Sequence, residues 1–527
     1  MKKRKPNVFV FFLDTIRVDQ IKGIDNPNEA ENFLEKIIHC GSLFNQVCVG
    51  GNSTRISVNS VFHGLYGRTS GFNFHYGNES QYSKSQVISF ADVFRCNDYY
   101  TIALSQGDVY TPTQSFNHFE VYSDSFHDGE LASRILKEHS NVFGYFHFLE
   151  LHDEAFGHPE KMTKEYYRRL WNNLSEEVES VWNRWVTEDD ITIFISDHGC
   201  QLRERHDSNW RYYHEEEPTG GIYLSQPTIR GFCSLVGGKH IPVNNSSELI
   251  RGIDIFPTLL DILGFSYPAV QGLSLYDYIY DGKSLAIKPG FSEAGGVVMD
   301  NGESISRSLT FDGWKYCRYE TRGEFLYHIE SDPYEERNLI NIELGKLKLL
   351  KSMFKKQVLE NQKGFVDFYK EDMSLYKGLL SMRGNAPDLI RGHRGSCFKN
   401  MLNNEAKKYL FDELNRKLEC WLKNKERVAI YSASEHAKAF LNNGDLPLEH
   451  PLVAVIDGNK SLSGKSFCGL PIVSVESVEE LFKPTIIIIA HYFYSNDMAV
   501  KLKENLIKPV KVFNSYRLEE SIDLWWD

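Results

Sequence analysis

Short apolar runs that alternate with amphipathic segments constrain the fold of this chain more than any other feature. The runs are apolar at successive positions rather than at every second one, which is typical of strands buried on both faces. Such strands, separated by helices, predict an α/β fold with a mostly parallel sheet and helices on both faces. The predicted strands are Asn7–Leu13, Tyr99–Leu104, Val142–Leu149, Asp190–Ile195 and Gly231–Val236, and the predicted helices are Glu29–Ile38, Val87–Phe94, Lys161–Val186 and Asp254–Leu263.

The pattern changes near residue 341 and again near residue 427, which predicts three regions. Residues 1–345 carry the strand-and-helix alternation and form the first domain. Residues 346–425 have helical spacing and few strand signals, so we interpret them as a helical connector. Residues 426–527 alternate strands with helices again, in the rhythm of a small Rossmann-like α/β module.

Composition and charge exclude several classes of protein. Apolar residues make up 42% of the 527 residues and charged residues 25%, which rules out a disordered, collagenous or coiled-coil chain. The formal net charge of −12 argues against non-specific nucleic-acid binding, which requires a basic surface. We therefore expect no nucleic-acid partner, and self-association into a homo-oligomer stays open.

The amino-terminal residues and the cysteines predict a cytoplasmic protein. The first apolar run stops at Asp14, which is too short for a secretory signal. No window reaches the roughly 20 apolar residues of a membrane span, so we expect no integral membrane segment. The nine cysteines are scattered and include no Cys-x-x-Cys pair, as in proteins that keep reduced thiols.

Polar residues follow two of the predicted strands directly. Asp14 ends the first run, and Asp197 and His198 end the strand before Gly199. The carboxyl ends of parallel strands meet at one edge of a sheet, so these three side chains can converge. Two carboxylates and an imidazole suit Zn²⁺ or Mn²⁺. The alternative is that the aspartates cap helices and His198 is a surface turn residue.

Another polar segment, Gly50–Arg55, precedes a stretch with helical spacing. Thr54 would lie at the amino terminus of that helix, where backbone N–H groups and the helix dipole favour an anion. Its hydroxyl could simply cap the helix. It could also act as a nucleophile, because a bound metal ion lowers the pKa of a hydroxyl.

Seven motifs in order resemble the sulfatase branch of the alkaline phosphatase superfamily. The resemblance runs from about Pro6 to Leu339 and implies the mostly parallel α/β fold of that superfamily for the first domain. It also implies that Asp14, Asp197 and His198 bind a metal ion. The motifs are Asn7–Asp19, Thr54–Tyr66, Phe146–His152, Thr192–Gly199, Ile253–Gly264, Gln271–Leu275 and Leu326–Glu335.

The resemblance places Thr54 where sulfatases carry the cysteine that becomes formylglycine. The chain contains no Cys-x-Pro-x-Arg or Cys-x-Ala-x-Arg string, so that conversion is not expected. Threonine is the nucleophile in the superfamily's phosphodiesterases, phosphoethanolamine transferases and phosphoglycerol transferases. A formylglycine hydrate expels sulfate by collapsing to the aldehyde, whereas a phosphothreonine must be attacked at phosphorus. We therefore favour phosphate esters over sulfate esters.

The same resemblance implies a site for one divalent metal ion, held by Asp14, Thr54, Asp197 and His198. Mn²⁺ or Zn²⁺ is expected, with Mg²⁺ or Ca²⁺ as alternatives. Sulfatases have a second aspartate after the first, but here Thr15 follows Asp14. We do not expect a second metal ion, because Asp153 and His158 lack the spacing of the two-metal relatives.

Further residues are candidates for substrate binding. His152, His206 and His214 could hold phosphate oxygens or protonate the leaving group, or could be ordinary polar surface residues. Arg55 and Arg17 could contact phosphate in a bidentate manner or form surface salt bridges.

The carboxyl-terminal module resembles the Rossmann-like modules of bacterial surface-sugar enzymes. Ser432 and Ser434 stand where such modules often have the glycines that let a phosphate approach the backbone. We therefore favour a docking or structural role over nucleotide binding, in which Asp457 would contact the ribose.

Three functions remain open at this point. The first is a hydrolase or transferase that acts on phosphate monoesters or diesters through a covalent Thr54 intermediate, in bacterial surface-polysaccharide metabolism. Its partner would be a small-molecule or saccharide ester. The second is a sulfuric-ester hydrolase, and the third is an inactive ligand-binding module.

Overall fold

The structure is a computed structural model of the full chain. It describes residues 5–73, 85–107, 109–121, 123–157, 161–200, 202, 224–286, 288–294, 306–319, 323–391, 418–431, 437, 441, 450–457, 462–489, 502, 506 and 510–514. The described residues fall into two compact units, the first up to residue 391 and the second from residue 418. Each unit has its own sheets.

The first unit is organised around a large, mostly parallel sheet. Ten described strands pair in the order β14-β4-β3-β5-β1-β6-β7-β2-β8, with β9 beside β2. Of the paired strands, β7 runs antiparallel to both of its neighbours, and the other pairs are parallel. The strands are β1 (Val8–Leu13), β2 (Ser42–Cys48), β3 (Tyr100–Ser105), β4 (His118–Val121), β5 (Val142–Phe148), β6 (Ile191–Ser196), β7 (Arg230–Val236), β8 (Asn244–Ser246), β9 (Ile250–Arg251) and β14 (Ile390–Arg391).

Helices cover this sheet on both faces, which confirms the predicted fold class. The α-helices are α1 (Phe33–Ile37), α2 (Thr54–His63), α3 (Gly67–Ser70), α4 (Phe90–Cys96), α5 (Gly129–Glu138), α6 (Glu150–Gly157), α7 (Lys164–Trp185), α8 (Gln226–Ile229), α9 (Ile255–Leu263), α10 (Tyr276–Asp281), α11 (Leu344–Asn361), α12 (Phe365–Tyr369) and α13 (Met373–Ser381). Short 3₁₀ helices lie at Val18–Gln20, Pro27–Glu29, Thr113–Ser115, Ser125–His127, Gly238–His240, Gly252–Asp254 and Lys370–Asp372.

The burial of the central strand β1 on both faces explains why its sequence is apolar throughout. All six of its residues are buried. Val8, Val10 and Phe12 belong to one hydrophobic cluster. Phe9, Phe11 and Leu13 belong to another, on the opposite face of the sheet. Because β1 lies between β5 and β6, the residue that follows it is placed at the centre of the carboxyl edge.

Residues 344–391 belong to the first unit, which differs from the predicted division at residue 345. Leu350 and Phe354 of α11 pack in a cluster with residues of an antiparallel sheet, and Tyr369 joins the cluster of the main sheet. Arg383 forms a buried ion pair with Asp92 of α4 at 2.5 Å. The antiparallel sheet comprises β10 (Gly290–Glu293), β11 (Ser306–Phe311), β12 (Trp314–Tyr319) and β13 (Gly323–His328).

The second unit contains a smaller sheet with α14 (Val475–Phe482) packed near β16. Its order is β17-β18-β16-β15-β19-β20, and every pair except β17–β18 is parallel. Numbered along the chain, the parallel strands therefore follow the order 3-2-1-4-5. The strands are β15 (Val428–Tyr431), β16 (Leu452–Ile456), β17 (Ser466–Phe467), β18 (Leu470–Val473), β19 (Ile486–Ile489) and β20 (Lys511–Asn514).

The β17–β18 hairpin was not predicted from the sequence, although its two-residue turn has a clear signal. Cys468 and Gly469 both have positive φ, of 50° and 83°, as this kind of tight turn requires.

Ser432 and Ser434, which bear on nucleotide binding, lie outside the described residues. Among the described helices of both units, none is long and apolar enough to cross a membrane.

Candidate metal and nucleophile site

Three side chains from two neighbouring strand ends meet at the carboxyl edge of the main sheet. The parallel register pairs Leu13 with Ser196, so the residues that follow, Asp14 and Asp197, lie side by side. One ligand atom each of Asp14, Asp197 and His198 can be chosen so that all three lie within 4.8 Å of one another. All three side chains are buried. The alternative of a surface turn for His198 does not fit this position.

Thr54 joins this group from a different element. It is the first residue of α2, and Ser53 occupies the N-cap position, so Thr54 is not the helix cap. The Thr54 hydroxyl donates to Asp14 Oδ2 at 3.0 Å, and its oxygen lies 3.5 Å from His198 Nε2. Ser53 makes no side-chain capping bond, and its hydroxyl has no hydrogen-bond partner among the described residues.

Two glycines allow the turn before α2 to approach its surroundings closely. A Cβ at Gly50 would lie 2.2 Å from Ser60 Oγ, and one at Gly51 would lie 2.5 Å from the carbonyl oxygen of Glu293. Neither position has room for a larger residue. The glycines therefore let the chain enter α2 at the point that brings Thr54 to Asp14.

Thr15 connects the two carboxylates. Its hydroxyl donates to Asp14 Oδ1 at 2.7 Å, and its backbone N–H donates to Asp197 Oδ1 at 3.0 Å. Thr15 has φ of 64°, a left-handed conformation that a β-branched residue adopts only at a cost. Strained backbone of this kind persists where surrounding contacts enforce it, often at functional sites.

The pKa values of the two carboxylates, Asp14 and Asp197, are shifted in opposite directions. Burial, together with the negative charge of Asp14, raises the pKa of Asp197 to about 6. Burial also acts to raise the pKa of Asp14, but the charge of His152 and the hydrogen bond with His147 outweigh it and hold that pKa below its ordinary value. The buried carboxylates of Asp14 and Asp197 lie close enough to repel each other when both are charged, so a cation between them would relieve the repulsion.

The hydrogen bonds of His198 and Asp197 fit a metal ion. His198 Nδ1 lies 2.8 Å from the carbonyl oxygen of Gly199, so Nδ1 carries the proton and Nε2 presents its lone pair to the carboxylates. Nε2 lies 3.2 Å from Asp197 Oδ2, a buried oxygen that no hydrogen-bond donor of the described residues satisfies. Metal-binding histidines commonly donate their other N–H to a backbone carbonyl in this way.

Of the predicted substrate-binding residues, two are described. His152 lies on α6, with Nδ1 3.3 Å from Asp153 Oδ1, and its charge acts on Asp14. Arg55 is buried as the second residue of α2, with its guanidinium carbon 5.8 Å from the centre of the Tyr110 ring. Arg17 is engaged by Asp19 through two bonds of 2.8 and 2.9 Å, but its side chain is buried, so this is not the surface salt bridge of the alternative. His206 and His214, and also His158, lie outside the described residues.

Sequence reasoning missed His147, which is wholly buried beside Asp14. His147 Nε2 lies 3.2 Å from Asp14 Oδ2, the oxygen that also accepts from Thr54. The sequence carried a signal, because an isolated histidine within an apolar strand requires a polar partner. The partner could not be identified without knowing that β5 pairs with β1.

No protein-family model matches this chain, and no curated protein sequence matches it. Solved structures do resemble it. A Bacteroides thetaiotaomicron protein assigned as a sulfatase has a TM-score of 0.56 at 15% identity, covering 69% of this chain and 94% of its own. A 2-O GAG sulfatase has a TM-score of 0.54 at 16% identity, covering 68% and 93% of the two chains.

The third structural relative has a different activity. It is a phosphonate monoester hydrolase of Agrobacterium radiobacter, with a TM-score of 0.51 at 14% identity, covering 67% of this chain and 96% of its own. At these identities the likenesses show a shared fold, which is the sulfatase-type fold that the sequence motifs predicted. Since one fold can serve several activities, the activity has to be argued from the site.

Proposed function

We propose that this chain is a metal-dependent hydrolase or transferase that acts on phosphate or sulfate esters through a covalent intermediate on Thr54. The observation that carries the proposal is the position of the Thr54 hydroxyl, at the amino terminus of a helix and 3.0 Å from Asp14 within the buried Asp14–Asp197–His198 group. The intact group argues against an inactive binding module.

Asp14, Asp197, His198 and Thr54 would hold one divalent ion. Oxygen and imidazole donors together suit Mn²⁺ or Zn²⁺. When bound, the ion would lower the pKa of the Thr54 hydroxyl and polarise an ester oxygen. The unsatisfied Oδ2 of Asp197 and the lone pair of His198 Nε2 support this assignment.

The residues of this chain have separate tasks in the proposed reaction. Thr54 Oγ1 forms a bond to phosphorus or sulfur as the bond to the leaving oxygen breaks. The Thr54 hydroxyl donates to Asp14 Oδ2, which places its oxygen beside the ion that would favour its deprotonation. The first N–H groups of α2 would bind the oxygens of the ester. We assign protonation of the leaving oxygen to His152 and binding of an ester oxygen to Arg55, with His206 and His214 as further candidates.

The two substrate classes have different support. The fold relatives above are mostly sulfatases, which supports the sulfate alternative better than the phosphate one. Residue 54 is threonine, which cannot form the formylglycine aldehyde, and this supports phosphate esters. A saccharide ester fits either class, since a further fold relative, at 12% identity and a TM-score of 0.51, has D-glucosamine-2-N,6-O-disulfate as its substrate. The sequence of the second unit resembles the modules of bacterial surface-sugar enzymes. On that resemblance we extend the proposed substrates to bacterial surface polysaccharides.

Turnover of three aryl esters tests the proposal. Metal-loaded protein is assayed on p-nitrophenyl phosphate, bis-p-nitrophenyl phosphate and p-nitrophenyl sulfate, with Thr54→Ala in parallel. Thr258→Ala is the matched control, because Thr258 is also a buried helical threonine but bonds the backbone oxygen of Asp254.

Turnover of a phosphate ester that disappears only in Thr54→Ala supports the phosphate proposal. Faster turnover of the sulfate, with the same dependence on Thr54, supports the sulfatase alternative. Equal turnover in wild type and Thr54→Ala contradicts both. If metal-loaded protein turns over none of the esters, the hydrolase assignment fails, and a transferase with its own donor or an inactive binding module is left.

A further inference from the structure

A hydrogen-bonded chain of three buried side chains ends on the candidate metal ligand Asp14. The Tyr145 hydroxyl lies 2.7 Å from His147 Nδ1, and His147 Nε2 lies 3.2 Å from Asp14 Oδ2. The side chain of His147 and that of Asp14 are wholly inaccessible to solvent. Neither Tyr145 nor His147 has a part in the reaction described above.

The chain defines the tautomer of His147. A neutral tyrosine hydroxyl is a proton donor, so His147 Nδ1 accepts from Tyr145. Nε2 of the neutral ring then carries the proton and donates to the Asp14 carboxylate. With Thr15 on Oδ1 and His147 on Oδ2, donors hold both oxygens of Asp14.

The strand geometry and the packing keep these side chains in place. Tyr145 and His147 lie two residues apart on β5, so they share one face of the strand. The ring of Phe12, on the neighbouring strand β1, lies 6.0 Å from the ring of Tyr145 and 5.4 Å from that of His147. The ring of Tyr110 lies 5.0 Å from that of His147. The imidazole is therefore enclosed by aromatic rings that restrict its rotation.

We infer that His147, oriented by Tyr145, is a positioning residue that holds the Asp14 carboxylate in the orientation that binds the metal ion. The inference rests on the proposed function, in which Asp14 is a metal ligand. His147 acts through Asp14 and does not contact the ion. Partners of metal ligands that act in this way typically contribute about 10- to 100-fold to metal affinity.

Titration of the metal-free protein with Mn²⁺ by calorimetry tests the inference without relying on turnover. His147→Leu should bind Mn²⁺ about 10- to 100-fold more weakly than wild type. His147→Gln has a similar size, but its amide can still donate to Asp14, so it should recover part of that affinity. Tyr145→Phe keeps the ring packing and removes only the hydroxyl, and it should weaken binding by a smaller factor. Tyr145→Phe also tests the inference if the His147 variants do not fold.

Two control variants separate this effect from a general loss of core packing. Tyr99→Phe removes a buried hydroxyl that bonds Pro6, at the amino edge of the same sheet. His63→Gln replaces a buried histidine that bonds Ile88 and Asn59. Both should leave the dissociation constant of Mn²⁺ unchanged.

A second readout is the ¹⁵N spectrum of metal-free protein, in which the two histidine tautomers differ. The His147 signals, identified by their loss in His147→Gln, should show the Nε2–H form in wild type and a mixture in Tyr145→Phe. The Nδ1–H form in wild type would overturn the inference.

The remaining outcomes are distinct. Unchanged Mn²⁺ affinity in His147→Leu would overturn the inference. The inference would also be overturned if both His147 variants lost Mn²⁺ binding completely while Tyr145→Phe kept its full affinity. His147 would then be a metal ligand itself. If wild type binds neither Mn²⁺ nor Zn²⁺, the proposed function fails, and the ¹⁵N spectrum still decides whether Tyr145 orients His147 toward Asp14.

Discussion

The two ends of strand β6 carry one buried aspartate each, and their surroundings differ. At the amino end, Asp190 Oδ1 accepts from the Asn7 backbone N–H at 3.0 Å, and Oδ2 accepts from the backbone N–H and the hydroxyl of Thr187, both at 2.9 Å. At the carboxyl end, Asp197 Oδ1 accepts from the N–H groups of Thr15 and His198. Asp197 Oδ2 lacks a hydrogen-bond donor among the described residues.

The difference gives Asp190 a structural role and leaves one oxygen of Asp197 open to a ligand. Donors on both oxygens compensate Asp190 for the loss of water, and the bonds join the starts of neighbouring strands. Asp197 instead faces a second carboxylate and the lone pair of an imidazole. An arrangement that costs stability by itself is expected where a ligand relieves it, which is the reason to place the metal ion at this edge.

Asp197→Asn should have the largest effect, on metal affinity. Removing a charged ligand should weaken Mn²⁺ binding at least about 100-fold, beyond the range typical of an outer partner, and should abolish turnover. Asp190→Asn should leave the affinity unchanged. Calorimetric titration of both variants checks this, and equal losses of affinity would remove the distinction between the two ends of β6.

Asp190→Ala should have the larger effect on stability. It leaves the N–H of Asn7 and two donors of Thr187 without their acceptor, which should lower the free energy of unfolding by about 3 kcal/mol. Asp197→Ala in metal-free protein should cost less, since it removes a repulsion as well as two bonds. Urea unfolding of both metal-free variants measures the difference, and a larger loss in Asp197→Ala would contradict the account.

The pH dependence of metal-free stability should reveal the strain at the carboxyl edge. Burial and the charge of Asp14 raise the pKa of Asp197 to about 6, above its unfolded value. The folded state therefore binds this proton more tightly, and the stability contributed by Asp197 falls as the pH rises from about 4 to 6. The change is up to about 3 kcal/mol, at about 1.4 kcal/mol per pKa unit.

This dependence should disappear in Asp197→Asn and in the presence of saturating Mn²⁺. Urea unfolding at pH 4, 5 and 6 provides the measurement. The comparison is between wild type and Asp197→Asn, because other groups titrate in the same range. Identical slopes in the two proteins would show that Asp197 does not carry the strain.

Thr15→Gly should have the smallest effect. Glycine relieves the left-handed strain of about 1–2 kcal/mol but loses about as much through a more flexible unfolded state. Stability should therefore change by less than about 1 kcal/mol, whereas Mn²⁺ binding weakens a few-fold because Asp14 Oδ1 loses a hydroxyl donor. Asp98→Gly is the control, since exposed Asp98 also has a positive φ of 66° and precedes the amino end of β3, at the opposite edge of the sheet from the site. Equal effects of both changes on Mn²⁺ binding would exclude a role for Thr15.

The sequence was sufficient for much of the fold because its buried strands are apolar throughout. The predicted run Asn7–Leu13 and the strand Val8–Leu13 agree within one residue, and the other four strands agree as closely. The predicted helix at Glu29–Ile38 is shorter in the structure, where α1 begins at Phe33 after the capping residue Asn32. The placement of residues 344–391 could not be predicted, since helical spacing does not show which core a helix joins.

The candidate site also has one part that the sequence predicts and another part that it does not. The convergence of Asp14, Asp197 and His198 follows from strand direction alone, since all three come after parallel strands. The contact between His147 and Asp14 depends on the pairing of β5 with β1, and the bond from Thr15 to Asp197 depends on a left-handed backbone. Neither feature can be read from the residues in order, because each depends on tertiary structure.

Trapping the intermediate tests the central claim most directly. Metal-loaded protein is mixed with the ester that it turns over, quenched in acid, digested and analysed by accurate-mass peptide sequencing, which also distinguishes a phosphoryl from a sulfuryl group. The account predicts a transferred group on Thr54, absent from the Thr54→Ala protein. A group on the neighbouring Ser53, whose hydroxyl has no hydrogen-bond partner among the described residues, would contradict it, as would full turnover by Thr54→Ala.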